Sequence, residues 1–316
     1  MRETELRPLG AGELLDRAIT LLVRSFPRIA AAVAIMVIPV TILNALLQPH
    51  AVDTYADIGR VLGAAGNPSA QRAALELLRA HGASGQAVTL LLIVSLAISL
   101  LGFNAVTAIV AAASRGNALD IGPAYARAVR LWPRQLLVSL AFAVMGLGAL
   151  VALLVVYFVI LLIVFGIAAA LKGASTVILG VLSVIVILLV LVVLLLAASW
   201  FSIAYTLASV AIVTEGLEAG AAISAGLRRA FGRRTAIRSL LAGLVVDAVL
   251  LLGSLPFAAL AAIFAALLHA PILAEGVNAV GQIIIDALIV TFAVVFAADV
   301  RVRREGLDLF VQTASV

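Results

Sequence analysis

Six long runs of apolar residues dominate the sequence and constrain its fold more than any other feature. They lie at residues 29–47, 87–114, 135–171, 173–214, 239–268 and 277–298. A helix that crosses a bilayer needs about 20 mostly apolar residues. Only 12% of the 316 residues are charged and 65% are hydrophobic, whereas a soluble domain carries about 25% charged residues. We therefore predict an all-α polytopic membrane protein with six transmembrane helices in a single membrane domain.

The basic residues predict the orientation of these helices. Seventeen of the 21 lie in segments 2–28, 115–134, 228–238 and 301–304, and the others are Arg60, Arg72, Arg79 and Lys172. Because cytoplasmic loops carry an excess of Arg and Lys, we expect both termini in the cytoplasm. The amino terminus does not resemble a signal peptide. The net charge of +5 then belongs to the inner face and favours anionic lipid headgroups over nucleic acid.

Two of the apolar runs, 135–171 and 173–214, are longer than one crossing of the bilayer requires. As helices they would extend about 55–63 Å, against a hydrocarbon core of about 30 Å. We interpret them as one long hairpin that turns at residues 172–175 and tilts or projects beyond the outer face. The outer segment 49–86, with an expected helix over residues 69–81, would cover the projecting tip.

An arginine-flanked motif recurs three times. It reads R-S-F-P-R at 24–28, R-L-W-P-R at 130–134 and R-A-F-G-R at 229–233, and each copy closes an amphipathic stretch before an outward-going span. Such spacing indicates an internal repeat. We predict three tandem units, each an interfacial amphipathic helix followed by a helical hairpin, at about 10–115, 120–215 and 218–304, with a cytoplasmic tail at 305–316.

The motif combines residue types that suit the edge of a membrane. An interfacial helix buries an apolar face among acyl chains and holds arginines at the level of the phosphates, and the Pro or Gly is expected to break the helix before the span. The candidate residues for binding lipid headgroups or a partner are Arg24, Arg28, Arg130, Arg134, Arg229 and Arg233. Taken singly, each arginine is better explained as a simple topology anchor, but that explanation does not account for the recurrence of the aromatic-Pro/Gly hinge.

Polar residues inside the predicted spans are the second set of candidates. Asp286 lies in the last span at the inner end of a stripe, Glu275, Asn278, Gln282 and Asp286, that follows one helix face inward from the outer surface, and Asp247 lies in the preceding span. Ionisable groups at this depth are costly and often mark ligand, ion or proton paths. Adjacent antiparallel helices would bring Asp247 close to Asp286. The alternative, which we favour, is that these groups hydrogen-bond across the helix bundle and hold it together.

Little in the sequence points to catalysis. Without cysteine, disulfides and thiolate chemistry are excluded. The three histidines, His50, His81 and His269, all fall on the predicted outer side and are weak candidates for a metal site, since their spacing matches no ligand motif. We expect no cofactor and no enzymatic activity.

Three segments together resemble a known bacterial family of six-span proteins. They are R-P-L-G-A-G-E-L-L-D-R at 7–17, A-I-V-T-E-G at 211–216 and D-V-R-V-R-R-E-G-L-D-L at 299–309. The chain is similar over its whole length to the family called the glycerophosphoryl diester phosphodiesterase membrane domain. The resemblance implies a membrane module without hydrolytic activity, because the catalytic domain fused to some relatives uses histidine in a His-Arg-Gly context that this chain lacks.

These observations leave two main hypotheses for function. The first is a non-enzymatic scaffold or accessory subunit that binds anionic lipids or an envelope-related protein partner through its arginine-rich cytoplasmic helices. The second is a transporter of a lipid or small solute that uses the polar stripe and Asp247. A metallohydrolase built on the three histidines is a third and weaker hypothesis, and the sequence does not define an oligomeric state.

Overall fold

The computed structural model describes residues 10–47, 69, 72, 76, 85–170, 176–268 and 271–305, and the regular secondary structure of these residues is all helical. Seven helices with defined bounds follow one another in the described part of the chain. They are α1 (Ala11–Leu47), α2 (Gly85–Ser114), α3 (Ile121–Ala170), α4 (Thr176–Glu215), α5 (Ala219–Phe231), α6 (Ala236–Leu268) and α7 (Pro271–Glu305).

Six of these helices, all except the 13-residue α5, are long and apolar enough to cross a membrane. The predicted all-α, multi-pass membrane architecture is confirmed at this level. Helices are expected, because in lipid every backbone N–H and C=O must find a partner within the protein, and a helix provides these partners within one segment.

The long hairpin consists of α3, with 50 residues, and α4, with 40. Bulky aliphatic side chains lie exposed along both helices, including Val144 and Leu162 at about 70% exposure. A soluble protein rarely leaves so much contiguous apolar surface uncovered, so this surface suits contact with acyl chains. The predicted turn at 172–175 lies outside the described residues. Of the outer segment 49–86, only Ser69, Arg72, Glu76 and residues 85–86 are described, and all are helical.

The predicted helix breaks are wrong at two of the three motifs. Helix α1 continues through Pro27 and α3 continues through Pro133. A proline removes one backbone hydrogen bond and bends a helix, but a membrane helix often tolerates that loss. Only the third motif interrupts the helix. Helix α5 ends at Phe231, the next residue, Gly232, has an extended backbone, and α6 begins at Ala236.

The described residues cluster in two compact units. Unit I contains Pro133–Asp247 and the end of α7 from Phe296. In unit I, α4 packs against α5, and Ile203, Leu207 and Ile212 of α4 are fully buried. The packing is close, because a Cβ atom added to Gly226 of α5 would lie 2.5 Å from the carbonyl oxygen of Ala204.

Unit II contains Ala11–Trp132 and Ala248–Val295. Here α1 packs against α2, with Ile29 and Val33 of α1 and Val106 and Ile109 of α2 fully buried. Within the same unit, α6 and α7 approach each other where Gly281 of α7 lies against the ring of Phe257. The contact between α6 and α7 depends on a glycine, and small residues allow membrane helices to pack at short distance.

Candidate functional site

The carboxylate of Glu215 is the centre of an ion-pair cluster in unit I. Glu215 is the last residue of α4, and Gly216 ends this helix with a φ of +71°, a left-handed conformation that glycine adopts without steric cost. Arg229 of α5 donates two hydrogen bonds to Glu215, at 2.7 and 2.9 Å. The Nε atom of Arg301 on α7 lies 3.5 Å from the same carboxylate. One carboxylate therefore connects three helices.

Asp299 of α7 forms a second cluster. Its side chain is completely buried, and its Oδ2 atom lies 3.1 Å from Nε of Arg238 on α6 and 3.0 Å from Nε of Arg303, one turn further along α7. A buried carboxylate is strongly unfavourable without such partners. The two arginines place positive charge beside this carboxylate, and the contact with Arg238 joins α6 to α7 in unit I.

A third pair lies nearer the surface of unit I. Arg134 of α3 contacts Glu218 at 2.6 Å and hydrogen-bonds the carbonyl oxygen of Gly216 at 3.3 Å. The Glu218 side chain is 73% exposed, so water screens this pair and it contributes little to stability. It nevertheless brings the start of the long hairpin to the loop between α4 and α5.

The arginines of the three motifs thus have different environments. Arg134 and Arg229 are bound to carboxylates of the protein itself. By contrast, Arg24, Arg28, Arg130 and Arg233 are exposed. The sequence predicted one role for all six residues, because the motif gives no information on which arginine has an acidic neighbour in the folded chain.

Asp247 lies within unit I, where it contributes to helix packing. It accepts a short hydrogen bond from the hydroxyl of Ser199 on α4, and Ser199 is fully buried. One turn before Asp247, Gly243 allows the backbone of α6 to reach Ser199, since any side chain at position 243 would collide with the Ser199 carbonyl group. A hydrogen bond of this kind between helices is what we expected if Asp247 helps to hold the helix bundle together.

The polar stripe of α7 lies in unit II. Asp286 and Glu275 are partly buried, whereas Asn278 and Gln282 are exposed. The Gln282 side chain hydrogen-bonds the carboxyl group of Asp286 one turn away on the same helix. Asp247 and Asp286 belong to different compact units, and their predicted approach stays a prediction.

Sequence reasoning missed a buried polar network at the start of the long hairpin. The Gln135 side chain donates hydrogen bonds to Ser209 at 2.7 Å and to Tyr205 at 3.2 Å, and Ser139 lies 3.0 Å from the Tyr205 hydroxyl. Gln135 is completely buried. The only signal in the sequence was a glutamine directly beside the arginine of the second motif, which could equally have been a solvated flank.

The predicted metal ligands His50, His81 and His269 lie outside the described residues. Among the residues that are described, no group of three or more His, Asp or Glu side chains has an arrangement that would hold a metal ion.

Comparison with known proteins identifies no relative. No protein-family model matches the chain, and it has no significant match among curated proteins or solved structures.

Proposed function

We propose that the protein is a non-enzymatic, multi-pass scaffold or accessory subunit of the bacterial inner membrane, serving a lipid-related or envelope-related partner. The observation that carries this proposal is the division of the arginines into two groups. Glu215 and Asp299 engage Arg229, Arg238 and Arg301 in cross-links between helices, and Arg303 pairs with Asp299 within α7. These arginines stabilise a rigid platform, and the exposed arginines are left to meet other molecules.

The distribution of basic residues gives the proposed orientation of the platform in the membrane. The positive-inside rule favours cytoplasmic termini, so the ends of α4, α5 and α7 would face the cytoplasm. An arginine near an anionic leaflet contributes about 1 kcal/mol of attraction. Several exposed arginines, among them Arg130, Arg228, Arg233, Arg234 and Arg304, would therefore attract anionic headgroups or an acidic protein surface.

The resemblance to the glycerophosphoryl diester phosphodiesterase membrane domain remains part of this proposal. Two of the segments that carry it contain the buried acids, since Glu215 lies in A-I-V-T-E-G and Asp299 opens D-V-R-V-R-R. Their ion pairs give these motifs a physical role in fixing helix ends, without any catalytic step. Under the proposal, these segments serve to hold the helix ends of the platform together.

The test removes exposed positive charge and leaves the clusters intact. We expect the triple variant Arg130→Gln, Arg233→Gln, Arg234→Gln to lose proteins or anionic lipids that co-purify with the wild-type chain from native membranes, as measured by quantitative mass spectrometry. Arg229 must not be included, because its loss would disturb the fold. The control is Arg72→Gln, which removes an exposed charge on the predicted outer side. Identical co-purifying proteins and lipids in the wild type and the triple variant would count against the proposal.

One observation favours transport as a second candidate function. Asn278 and Gln282 are exposed, and Asp286 is hydrogen-bonded by a residue of its own helix. Polar groups at membrane depth often line a substrate or ion path. If the stripe serves transport, Asp286→Asn will abolish flux in vesicles that transport with the wild-type chain, without changing its thermal stability. Normal flux in that variant would show that the polar stripe is not the transport path.

A further inference from the structure

A pocket in unit II is lined by two arginines, Arg24 and Arg28, that have no acidic partner among the described residues. Its volume is about 270 Å³, and it is lined by Arg24, Ser25 and Arg28 of α1, by Ile109 and Ala113 of α2, and by the loop residues Gly116, Asn117, Ala118 and Leu119. Typical small-molecule sites occupy about 300–1,000 Å³. The pocket is therefore large enough for a small polar group and too small for a complete lipid.

The local fold explains why the pocket forms. Arg24 and Arg28 stand one turn apart on α1, and their side chains extend to the point where α2 ends. There Gly116 adopts a φ of +77°, and the N–H groups of Gly116 and Asn117 hydrogen-bond the carbonyl oxygens of Ala113 and Ala112. The chain turns sharply at this point, and the loop closes one side of the pocket opposite the guanidinium groups.

The two guanidinium groups have no counter-charge in the part of the chain that the structure describes. Within the part of the chain that the structure describes, no carboxylate lies within ion-pair distance of Arg24 or Arg28, and both side chains are exposed. Like charges four residues apart on a helix repel each other. This situation differs from unit I, where Glu215 and Asp299 neutralise their arginines. An anion held between Arg24 and Arg28 would relieve the repulsion.

The chemistry of the pocket favours a phosphoryl group over other anions. Guanidinium groups bind phosphate oxygens with two parallel hydrogen bonds. The Ser25 hydroxyl can donate a further hydrogen bond, and the described residues accept no hydrogen bond from the N–H groups of Ala118 and Leu119. These donors together suit an anion with three or more oxygens.

The position of the pocket along α1 suggests where the anion comes from. Arg28 directly precedes the apolar residues 29–47, which as a helix extend about 28 Å and match the hydrocarbon core. The pocket would then lie at the depth of the headgroups. We propose that Arg24, Ser25 and Arg28 together with the loop 116–119 form a binding site for a phosphoryl group, presented by an anionic lipid headgroup. The lipid source rests on the proposed function, because that function orients the arginines towards the cytoplasmic leaflet.

The experiment uses the full chain and two probes. The first is phosphatidic acid at a few per cent in phosphatidylcholine nanodiscs, with bound lipid counted by native mass spectrometry. The second is inorganic phosphate, titrated into the detergent-solubilised protein by calorimetry. For the wild-type chain we expect saturable binding of one phosphoryl group. The double variant Arg24→Gln, Arg28→Gln should bind at least about tenfold more weakly, as expected when charge-assisted hydrogen bonds are lost.

Two further variants separate a site from general surface charge. Arg72→Gln removes one exposed charge elsewhere and should bind as the wild type does. Ala113→Leu leaves every charge in place but fills the pocket, and it should weaken binding like the double variant while its thermal stability is retained. Wild-type binding by Ala113→Leu, or equal losses in Arg72→Gln and the double variant, would overturn the proposal.

The two probes distinguish the sources of the phosphoryl group. Retention of phosphatidic acid that depends on Arg24 and Arg28 supports a lipid site, whereas binding of inorganic phosphate alone supports a site for a free phosphate. If neither probe binds the wild-type chain, the inference fails. The proposed function is tested separately by co-purification with the triple variant, so it survives that failure if Arg130, Arg233 and Arg234 are still required there.

Discussion

Arg229 and Glu215 form a bidentate ion pair between α5 and the end of α4, with N to O distances of 2.7 and 2.9 Å. The two side chains are only 5% and 15% exposed. This geometry matches the planar fork of the guanidinium to the two oxygens of the carboxylate. Because Arg301 also approaches Glu215, the pair fixes the relative positions of three helix ends in unit I.

Glu215→Gln should lower the stability of the protein strongly. The substitution leaves Arg229 buried without a counter-charge, and removing one partner of a buried pair costs about 3–5 kcal/mol. A lower midpoint of thermal unfolding in detergent, followed by circular dichroism, would measure this loss. The matched control is Glu218→Gln, whose pair with Arg134 is largely exposed and should contribute less than about 1 kcal/mol. Equal effects of the two changes would contradict the assigned importance of the buried pair.

Asp299→Asn should also destabilise the protein. The amide keeps the shape of the side chain but removes the negative charge that faces Arg238 and Arg303, and these two guanidinium groups would then repel each other inside unit I. We expect a loss of about 3 kcal/mol or more, detectable as faster proteolysis of the purified protein. Arg304→Gln, at an exposed position on the same helix, serves as the control. Wild-type resistance of Asp299→Asn to protease would show that the cluster is dispensable.

Gly226→Ala should disturb the contact between α5 and α4. The added methyl group would lie 2.5 Å from the Ala204 carbonyl oxygen. Because this oxygen belongs to the backbone, the clash is relieved only if the two helices move apart, which should lower the free energy of unfolding by about 1–3 kcal/mol. Gly220→Ala in the same helix meets no atom within 4 Å, and alanine favours helix over glycine by up to about 1 kcal/mol. Thermal melts should therefore show a decrease for position 226 and none for position 220. The reverse order would refute the close packing of these helices.

Asp286→Asn distinguishes the two candidate functions. If the protein is a scaffold, the substitution should leave co-purification of partners unchanged, because the carboxyl group bonds only Gln282 among the described residues. Quantitative mass spectrometry of the purified complex measures this. Loss of the partners in Asp286→Asn would contradict the scaffold role assigned to the arginines, and loss of solute flux would favour transport.

The number and class of the membrane helices could be predicted from the sequence. Six apolar runs predicted six spans, and the described residues contain six long apolar helices. The prediction succeeds because a bilayer leaves few alternatives to a helix, and hydropathy alone marks where each helix must lie. The rule that proline or glycine breaks a helix was less reliable. Gly232 interrupts a helix as predicted, but Pro27 and Pro133 lie inside continuous helices.

The pairing of charges could not be read from the sequence. Glu215 lies 14 residues from Arg229 and farther still from Arg301 along the chain, and Asp299 pairs with Arg238 of a different helix. In the sequence, all of these residues lie outside the apolar runs, beside the predicted spans. The glutamine network around Gln135 was equally invisible, because its partners, Ser209 and Tyr205, are 70 or more residues away.

The sequence by itself determined that the chain is a multi-pass, helical membrane protein with arginines concentrated beside its spans. The order of residues decides this, since each helix satisfies its own backbone and most charged residues lie outside the apolar runs. Only the tertiary structure decided which arginines are bound by Glu215, Glu218 and Asp299 and which, like Arg24 and Arg28, border an open pocket. Ion pairs require side chains from separate helices to meet within a few ångströms, and that meeting depends on how the helices pack.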